Sequence, residues 1–144
     1  MKRLLLFFLL SLSIAILSQA RQLRVLAIGN SFSADAVEDH LWPLAEELGD
    51  TLIIGNAYNG GCDIDRHVNN LSHNKTTYEY RKVVGGKLSN TKESRLRDII
   101  LDEPWDIITL QQVSGKSGMT DSYRNLPILI DSVKALMPNK EAEL

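Results

Sequence analysis

The sequence contains a single cysteine, Cys62. One cysteine cannot form a disulfide within the chain, so the fold does not depend on internal bridges for its stability. The sequence also lacks a basic stripe. The chain carries 16 Lys and Arg, two of them at positions 2 and 3, against 18 Asp and Glu. This acidic balance makes nucleic acid a poor candidate partner.

The first twenty residues have the pattern of a secretory signal. Lys2 and Arg3 precede an apolar run over residues 4–17, and small residues follow at Ser18 and Ala20. The run is short for a membrane span, so we expect cleavage and no stable membrane insertion afterwards. A retained membrane anchor is the alternative. The sequence thus predicts export to the periplasm or the cell exterior, and one mature domain over residues 21–144.

Short apolar runs alternate with helical patterns along this domain. Strands are predicted over residues 23–28, 51–54 and 105–110, and helices over 37–48, 64–71, 94–101 and 126–136. Pro43 predicts a kink or break in the first helix. Residues 72–92 are polar and are interpreted as an excursion from the core, which Gly85-Gly86 could close as a hairpin. The alternation predicts an α/β fold with a parallel sheet.

Three polar clusters each follow one predicted strand. They are Gly29-Asn30-Ser31, Asn59-Gly60-Gly61 and Gln111-Gln112. Ligands of open parallel sheets bind beyond the carboxyl ends of the strands. We therefore expect all three clusters to lie at the same edge of the sheet.

Each cluster allows a structural and a chemical interpretation. Ser31 is suited to cap the following helix, but a serine at a strand-to-helix turn is also placed for nucleophilic attack near the positive helix end. The two glycines form a turn, and a glycine N–H could point into a site. Gln111 and Gln112 are either solvated loop residues or neutral hydrogen-bond donors to an oxyanion.

The segments "VLAIGNSFS", "NGGCDI" and "WDIITLQQVSG" together resemble the first three conserved blocks of the SGNH/GDSL hydrolase superfamily. More narrowly, they resemble a bacterial subgroup of secreted SGNH-like proteins. The resemblance covers about residues 23–137. It implies a flavodoxin-like three-layer α/β/α sandwich and a serine esterase, with O-acetylated carbohydrate as the substrate. We expect no cofactor.

The resemblance also implies roles for individual residues. Ser31 would be the nucleophile, and its own N–H and that of Gly61, or alternatively Gly60, would bind the oxyanion. The superfamily's third donor is an Asn in Gly-x-Asn-Asp, which this sequence lacks, so Gln111 or Gln112 is the substitute. Asn30 replaces the Asp of Gly-Asp-Ser and would brace the loop.

The largest departure from the superfamily pattern is the missing Asp-x-x-His, which supplies the general base. His40 is expected to point away from Ser31, His67 to pack in the core, and His73 to be solvated. We therefore expect a partial domain, incomplete at its C-terminus and inactive as given. The alternative function is a non-catalytic carbohydrate-binding or surface module. A nucleotide-binding domain is disfavoured because a Gly-rich phosphate loop is missing.

Asp63-x-Asp65-x-His67 is a candidate metal site. These three residues have the alternating spacing of some metal ligands, but a second ligand cluster does not accompany them. The sequence therefore predicts no metal. The oligomeric state does not follow from the sequence.

Overall fold

The computed structural model describes residues 22–144; the predicted signal peptide lies outside the described residues. The fold is mixed α/β. Its strands are β1 (Gln22–Gly29), β2 (Thr51–Tyr58), β3 (Tyr78–Val84), β4 (Lys87–Ser94) and β5 (Ile107–Leu110). Its α-helices are α1 (Ser31–Ser33), α2 (Trp42–Glu47), α3 (Ile64–Ser72), α4 (Leu96–Asp102) and α5 (Leu126–Leu136). A π-helical segment, Ala34–Leu41, joins α1 to α2, and two 3₁₀ turns, Ser114–Lys116 and Thr120–Tyr123, precede α5.

The strands form one five-stranded mixed sheet in the order β4-β3-β2-β1-β5. β1 is parallel to both β2 and β5, as predicted. β3 and β4 are antiparallel, so the prediction of a purely parallel sheet is wrong for this half. A parallel connection needs a crossover, whereas neighbouring antiparallel strands need only a tight turn.

The hairpin of β3 and β4 is closed by Gly85 and Gly86, with φ angles of 54° and 71°. Left-handed values at both central positions define the turn that matches the twist of paired strands, and glycine adopts them without steric cost. Interpreting residues 72–92 as an excursion was wrong, because β3 pairs with β2 and buries Tyr78 and Val83. β4 is the polar outer strand and keeps nearly all its side chains exposed.

The first helical stretch changes its hydrogen bonding at the predicted break. The π-helical segment ends at Leu41, and α2 begins with Trp42 and Pro43. The proline has no N–H to donate to a carbonyl of the preceding turn, so the helical hydrogen-bond pattern changes where it stands. Among residues 22–144, the helices are too short or too polar to cross a membrane.

Hydrophobic side chains form two clusters on opposite faces of the sheet. Leu52 and Ile54 of β2 belong to the smaller cluster, which Leu41 and Trp42 complete. Ala57 belongs to the larger cluster, together with side chains of α3, α4 and α5. Successive residues of a strand point to opposite faces, so β2 contributes to both clusters.

The outer side of β5 carries one further bridge. Ile107 pairs with Glu143 in parallel fashion. The Ile108 N–H donates to the Glu143 carbonyl at 2.8 Å, and the Glu143 N–H donates to the Asp106 carbonyl at 2.9 Å. The last described residues therefore add to the sheet beside β5.

Gly55 on β2 leaves room for the indole of Trp105. A Cβ at position 55 would lie 2.5 Å from Trp105 Cη2. The indole is buried, and its Nε1–H donates to the Ile99 carbonyl at 3.2 Å. The ring therefore cannot move away without losing this hydrogen bond.

We predict that Gly55→Ala lowers the free energy of unfolding by about 1–3 kcal/mol, because the added methyl group overpacks the larger cluster. Urea unfolding followed by circular dichroism measures the change. Gly115→Ala is the matched control, since a Cβ there meets no atom within 4 Å. Equal stability of the two variants would contradict the prediction.

Candidate functional site

The sheet register brings the three polar clusters to one edge. Gly29, the last residue of β1, is paired with Tyr58, the last residue of β2. On the other side of β1, Ile28 is paired with Leu110, the last residue of β5. The loops that follow these three strands therefore start side by side, as the sequence predicts.

Asn30 connects the three loops through its side chain. Its Nδ2 donates to the Cys62 carbonyl at 3.3 Å and to the Gln112 carbonyl at 3.4 Å. Its Oδ1 accepts from the Phe32 N–H at 3.3 Å, which makes Asn30 the N-cap of α1. The residue is 1% exposed. One buried amide thus joins the turn after β1 to the loops after β2 and β5.

Ser31 is the first residue of α1 and is exposed at this edge. Because Asn30 serves as the cap, the Ser31 hydroxyl is not needed for that duty. Gly29 permits this compact turn. A Cβ at position 29 would lie 2.7 Å from Ser33 Oγ and 2.8 Å from Gln111 Oε1. Only glycine fits there without displacing both side chains.

The two glutamines have different surroundings. The Gln112 amide bonds at both ends: Oε1 accepts from the Ile64 and Val113 N–H groups, and Nε2 donates to the carbonyl and hydroxyl of Ser122. Gln112 therefore ties its loop to α3 and to the second 3₁₀ turn. Gln111 instead lies against the Ser31 turn, where its Oε1 accepts from the Asn30 N–H at 3.2 Å. This orients its Nε2 away from that N–H.

The loop after β2 is a tight turn over residues 59–62. The Cys62 N–H donates to the Asn59 carbonyl at 3.1 Å, and Gly61 has a φ of 61°. Gly61 is exposed, and its carbonyl accepts from Arg66 Nη1 at 2.9 Å. Gly60 lies beside the Tyr58 hydroxyl, 3.4 Å from where its Cβ would stand.

Asn56, a buried amide inside β2, is not among the site residues that the sequence predicts. The strand predicted from the sequence covers residues 51–54 and stops before Asn56, whereas β2 runs to Tyr58. Asn56 accepts from the Ser33 hydroxyl at 3.0 Å and donates to Glu38 Oε1 at 2.5 Å. The polar Asn56 followed by the apolar Ala57 is the sequence pattern that could have indicated a longer strand. The contact between Asn56 and Glu38, which lie 18 positions apart, is not indicated by any sequence pattern.

The three histidines lie on different elements. His40 is exposed on the π-helical segment, and His73 is exposed after α3, where its Nδ1 lies 2.9 Å from the Asn69 carbonyl. His67 is buried, with Nδ1 2.8 Å from the Tyr78 hydroxyl, and its Nε2 has no hydrogen-bond partner among residues 22–144. Burial lowers the pKa of His67 to about 4, against the opposing charge of Asp63.

Asp63, Asp65 and His67 do not converge. Asp63 caps α3 and pairs with Lys116 Nζ at 2.5 Å, while Asp65 accepts from Asn125 Nδ2 at 2.9 Å. Burial raises the pKa of Asp63, but hydrogen bonds from Lys116 and the Arg66 backbone outweigh it and lower the pKa overall. Within the described part of the chain, no group of three or more His, Cys, Asp or Glu side chains could hold a metal ion.

Comparisons with known proteins identify relatives of this chain. A family model described as "Domain of unknown function (DUF4886)" matches residues 24–144. The crystal structure of a DUF4886 family protein from Bacteroides uniformis ATCC 8492 is 44% identical, with a TM-score of 0.81. The match covers 85% of this chain and 48% of that one, so this chain spans about half the length of that relative. No protein with a curated function matches the chain.

We predict that Asn30→Asp destabilises the protein at neutral pH by about 1–3 kcal/mol. A carboxylate can still cap α1, but it cannot donate to the carbonyls of Cys62 and Gln112. Burial and these two oxygens would raise the pKa of the introduced carboxyl group. The deficit relative to the unmodified protein should therefore shrink as the pH is lowered from 7 to 5.

Urea unfolding at both pH values measures this difference. Asn69→Asp is the matched control, because it adds the same charge at an exposed position of α3. The prediction fails if both variants lose the same stability at pH 7.

We predict that His67 makes the protein less stable in mild acid. The imidazole is protonated near pH 6.5 when the chain is unfolded but only near pH 4 when it is folded. Between these values the unfolded state binds more protons, so the free energy of unfolding falls as the pH is lowered. The loss reaches roughly 3 kcal/mol at pH 4 and disappears above pH 6.5.

The measurement is the free energy of unfolding at intervals from pH 7 to pH 4.5. His67→Gln should flatten the profile, whereas Tyr78→Phe removes the hydrogen-bond partner but keeps the imidazole and the slope. An unchanged slope in His67→Gln would rule out His67 as its source.

Proposed function

This chain belongs to the DUF4886 family, and we propose that it is a serine esterase of the SGNH type that removes acetyl groups from O-acetylated carbohydrate. One observation carries the proposal. Asn30 caps α1 and joins the three loops, which leaves Ser31 exposed at the carboxyl edge of β1. A serine that is neither buried nor needed as a cap is available to attack an ester carbonyl.

The surroundings of Ser31 supply hydrogen-bond donors for the oxyanion that such an attack creates. We assign the N–H groups of Ser31 and Gly61 as two of them. The third is Gln111 Nε2, because the Oε1 of the same amide is held by the Asn30 N–H. Gln112 is not assigned this role, since both ends of its amide bond to the protein. Neutral donors fixed in place stabilise developing charge without further reorganisation.

The finer architecture belongs to the same proposal. We propose a flavodoxin-like three-layer α/β/α sandwich, with the sheet as the middle layer. It is supported by the two hydrophobic clusters on opposite faces of β2. The basic and apolar first twenty residues support export of the protein to the periplasm or the cell exterior.

A second candidate is a non-catalytic carbohydrate-binding or surface module on the same fold. It is favoured by the positions of the histidines. His67 is buried against Tyr78, and the Nδ1 of His73 contacts the Asn69 carbonyl near the end of α3. Neither imidazole is placed to take the proton of Ser31. Glycan binding that survives Ser31→Ala, without acetate release by either protein, would support this candidate.

We predict that acetate release from an O-acetylated oligosaccharide depends on Ser31. In the presence of added imidazole, Ser31→Ala should lower the rate at least about a hundredfold relative to the unmodified chain, because the nucleophile is lost. Added imidazole should raise the rate of the unmodified chain, since it supplies a free general base, and should leave Ser31→Ala unchanged. Acetate is measured by an enzyme-coupled assay.

Ser72→Ala is the matched control, because Ser72 is an exposed serine at the far end of α3. It should behave as the unmodified chain does. Equal rates for the unmodified chain and Ser31→Ala, with and without imidazole, would overturn the assignment of Ser31.

A further inference from the structure

Asn56 is a buried polar residue in the middle of β2. Its side chain is fully buried, although a carboxamide costs free energy when it leaves water. Both ends of the amide are occupied: Oδ1 faces the Ser33 hydroxyl at 3.0 Å, and Nδ2 donates to Glu38 Oε1 at 2.5 Å. The strand itself needs neither contact, so the amide connects β2 to the helical stretch that begins at Ser31.

The π-helical segment makes this double contact possible. Ser33 and Glu38 are five residues apart, which in a regular α-helix turns their side chains about 140° away from each other. Backbone hydrogen bonds in a π-helix join residues five apart, so such residues lie on one face. The widened helix thus presents a hydroxyl and a carboxylate to the same amide.

Charged side chains of β3 hold Glu38, the partner of the Asn56 Nδ2, in place. Glu38 has a side chain only 7% exposed, and its Oε2 lies 3.5 Å from Arg81 Nη1. The guanidinium stacks on the Tyr58 ring at 3.9 Å and pairs with Glu79 at 3.0 Å. A carboxylate fixed from two sides orients the Asn56 amide, because only Nδ2 can donate to it.

Ser33, the other partner of the Asn56 amide, contacts the backbone of the candidate site. The Ser33 hydroxyl lies 2.7 Å from the Asn30 carbonyl and 3.0 Å from Asn56 Oδ1, and its single proton is divided between these two acceptors. The Asn30 carbonyl also accepts from the backbone N–H groups of Ser33 at 3.0 Å and of Ala34 at 3.4 Å. The Asn30 carbonyl and the Ser31 N–H belong to the same planar peptide group and point in opposite directions. Holding this carbonyl therefore aims the Ser31 N–H, and the Ser33 hydroxyl is one of the three donors that hold it.

We infer that Asn56 is a positioning residue, which holds the Ser33 hydroxyl against the Asn30 carbonyl and thereby aims the Ser31 N–H as an oxyanion donor. The inference rests on the proposed function for what the N–H binds, but not for its orientation. Asn56 itself does not touch the substrate. Its effect passes through Ser33 and one peptide plane.

Amide hydrogen exchange, followed by NMR, tests the orientation without any need for activity. Asn56→Ala should speed exchange at Phe32 and Ser33, whose N–H groups are bonded to Asn30, about tenfold relative to the amides of β1. Ser33→Ala removes the middle of the connection at less risk to folding and should do the same. Gly55→Ala, the neighbouring change on the opposite face, should speed exchange by global unfolding and not selectively at Phe32 and Ser33. The inference is overturned if the three variants change the same amides in the same ratio.

If the protein releases acetate, the kcat and KM of Asn56→Ala can be compared with those of the unmodified chain. Asn56→Ala should lower kcat about tenfold to a hundredfold and change KM less than about twofold, as expected when only the transition state loses a donor. A rise in KM with unchanged kcat would contradict the positioning role. If Ser31→Ala shows that the chain is not an esterase, the proposed function fails alone, and the exchange experiment still decides the inference.

Discussion

The candidate site depends on one buried carboxamide, that of Asn30. Its donor hydrogens satisfy carbonyls on two separate loops, and its oxygen satisfies the Phe32 N–H in the first turn of α1. Each loop alone would be a surface connection with little to fix it. A buried amide with every contact made is costly to disturb, because any movement leaves polar groups without partners. The edge of the sheet is therefore rigid where its three loops meet.

Much of the fold could be predicted from the sequence, because β1, β2 and β5 contain apolar runs that suit buried strands. The hairpin could not be predicted as part of the sheet. β4 is polar at nearly every position, and its place in the sheet depends on backbone pairing and on the turn at Gly85 and Gly86. Backbone hydrogen bonds leave little trace in a hydrophobic pattern.

The candidate site, too, could be predicted only in part. The three clusters could be placed at one edge because parallel strands end together. Which glutamine lies against Ser31 could not be predicted, since Gln111 and Gln112 are adjacent and differ only in the loops they meet. Asn56 was missed because its role needs a π-helical segment, which the pattern of residues does not indicate. The catalytic roles of these residues remain predictions.

Cys62 has a practical consequence. It is fully buried, and burial raises the pKa of its thiol to about 11, so it resists alkylation in the folded protein. It is also the single cysteine of the sequence. A thiol engineered onto the surface would therefore react selectively with a maleimide dye or a spin label. The protein is in this respect ready for fluorescence or electron paramagnetic resonance work at any chosen position, including the exposed rim around the candidate site.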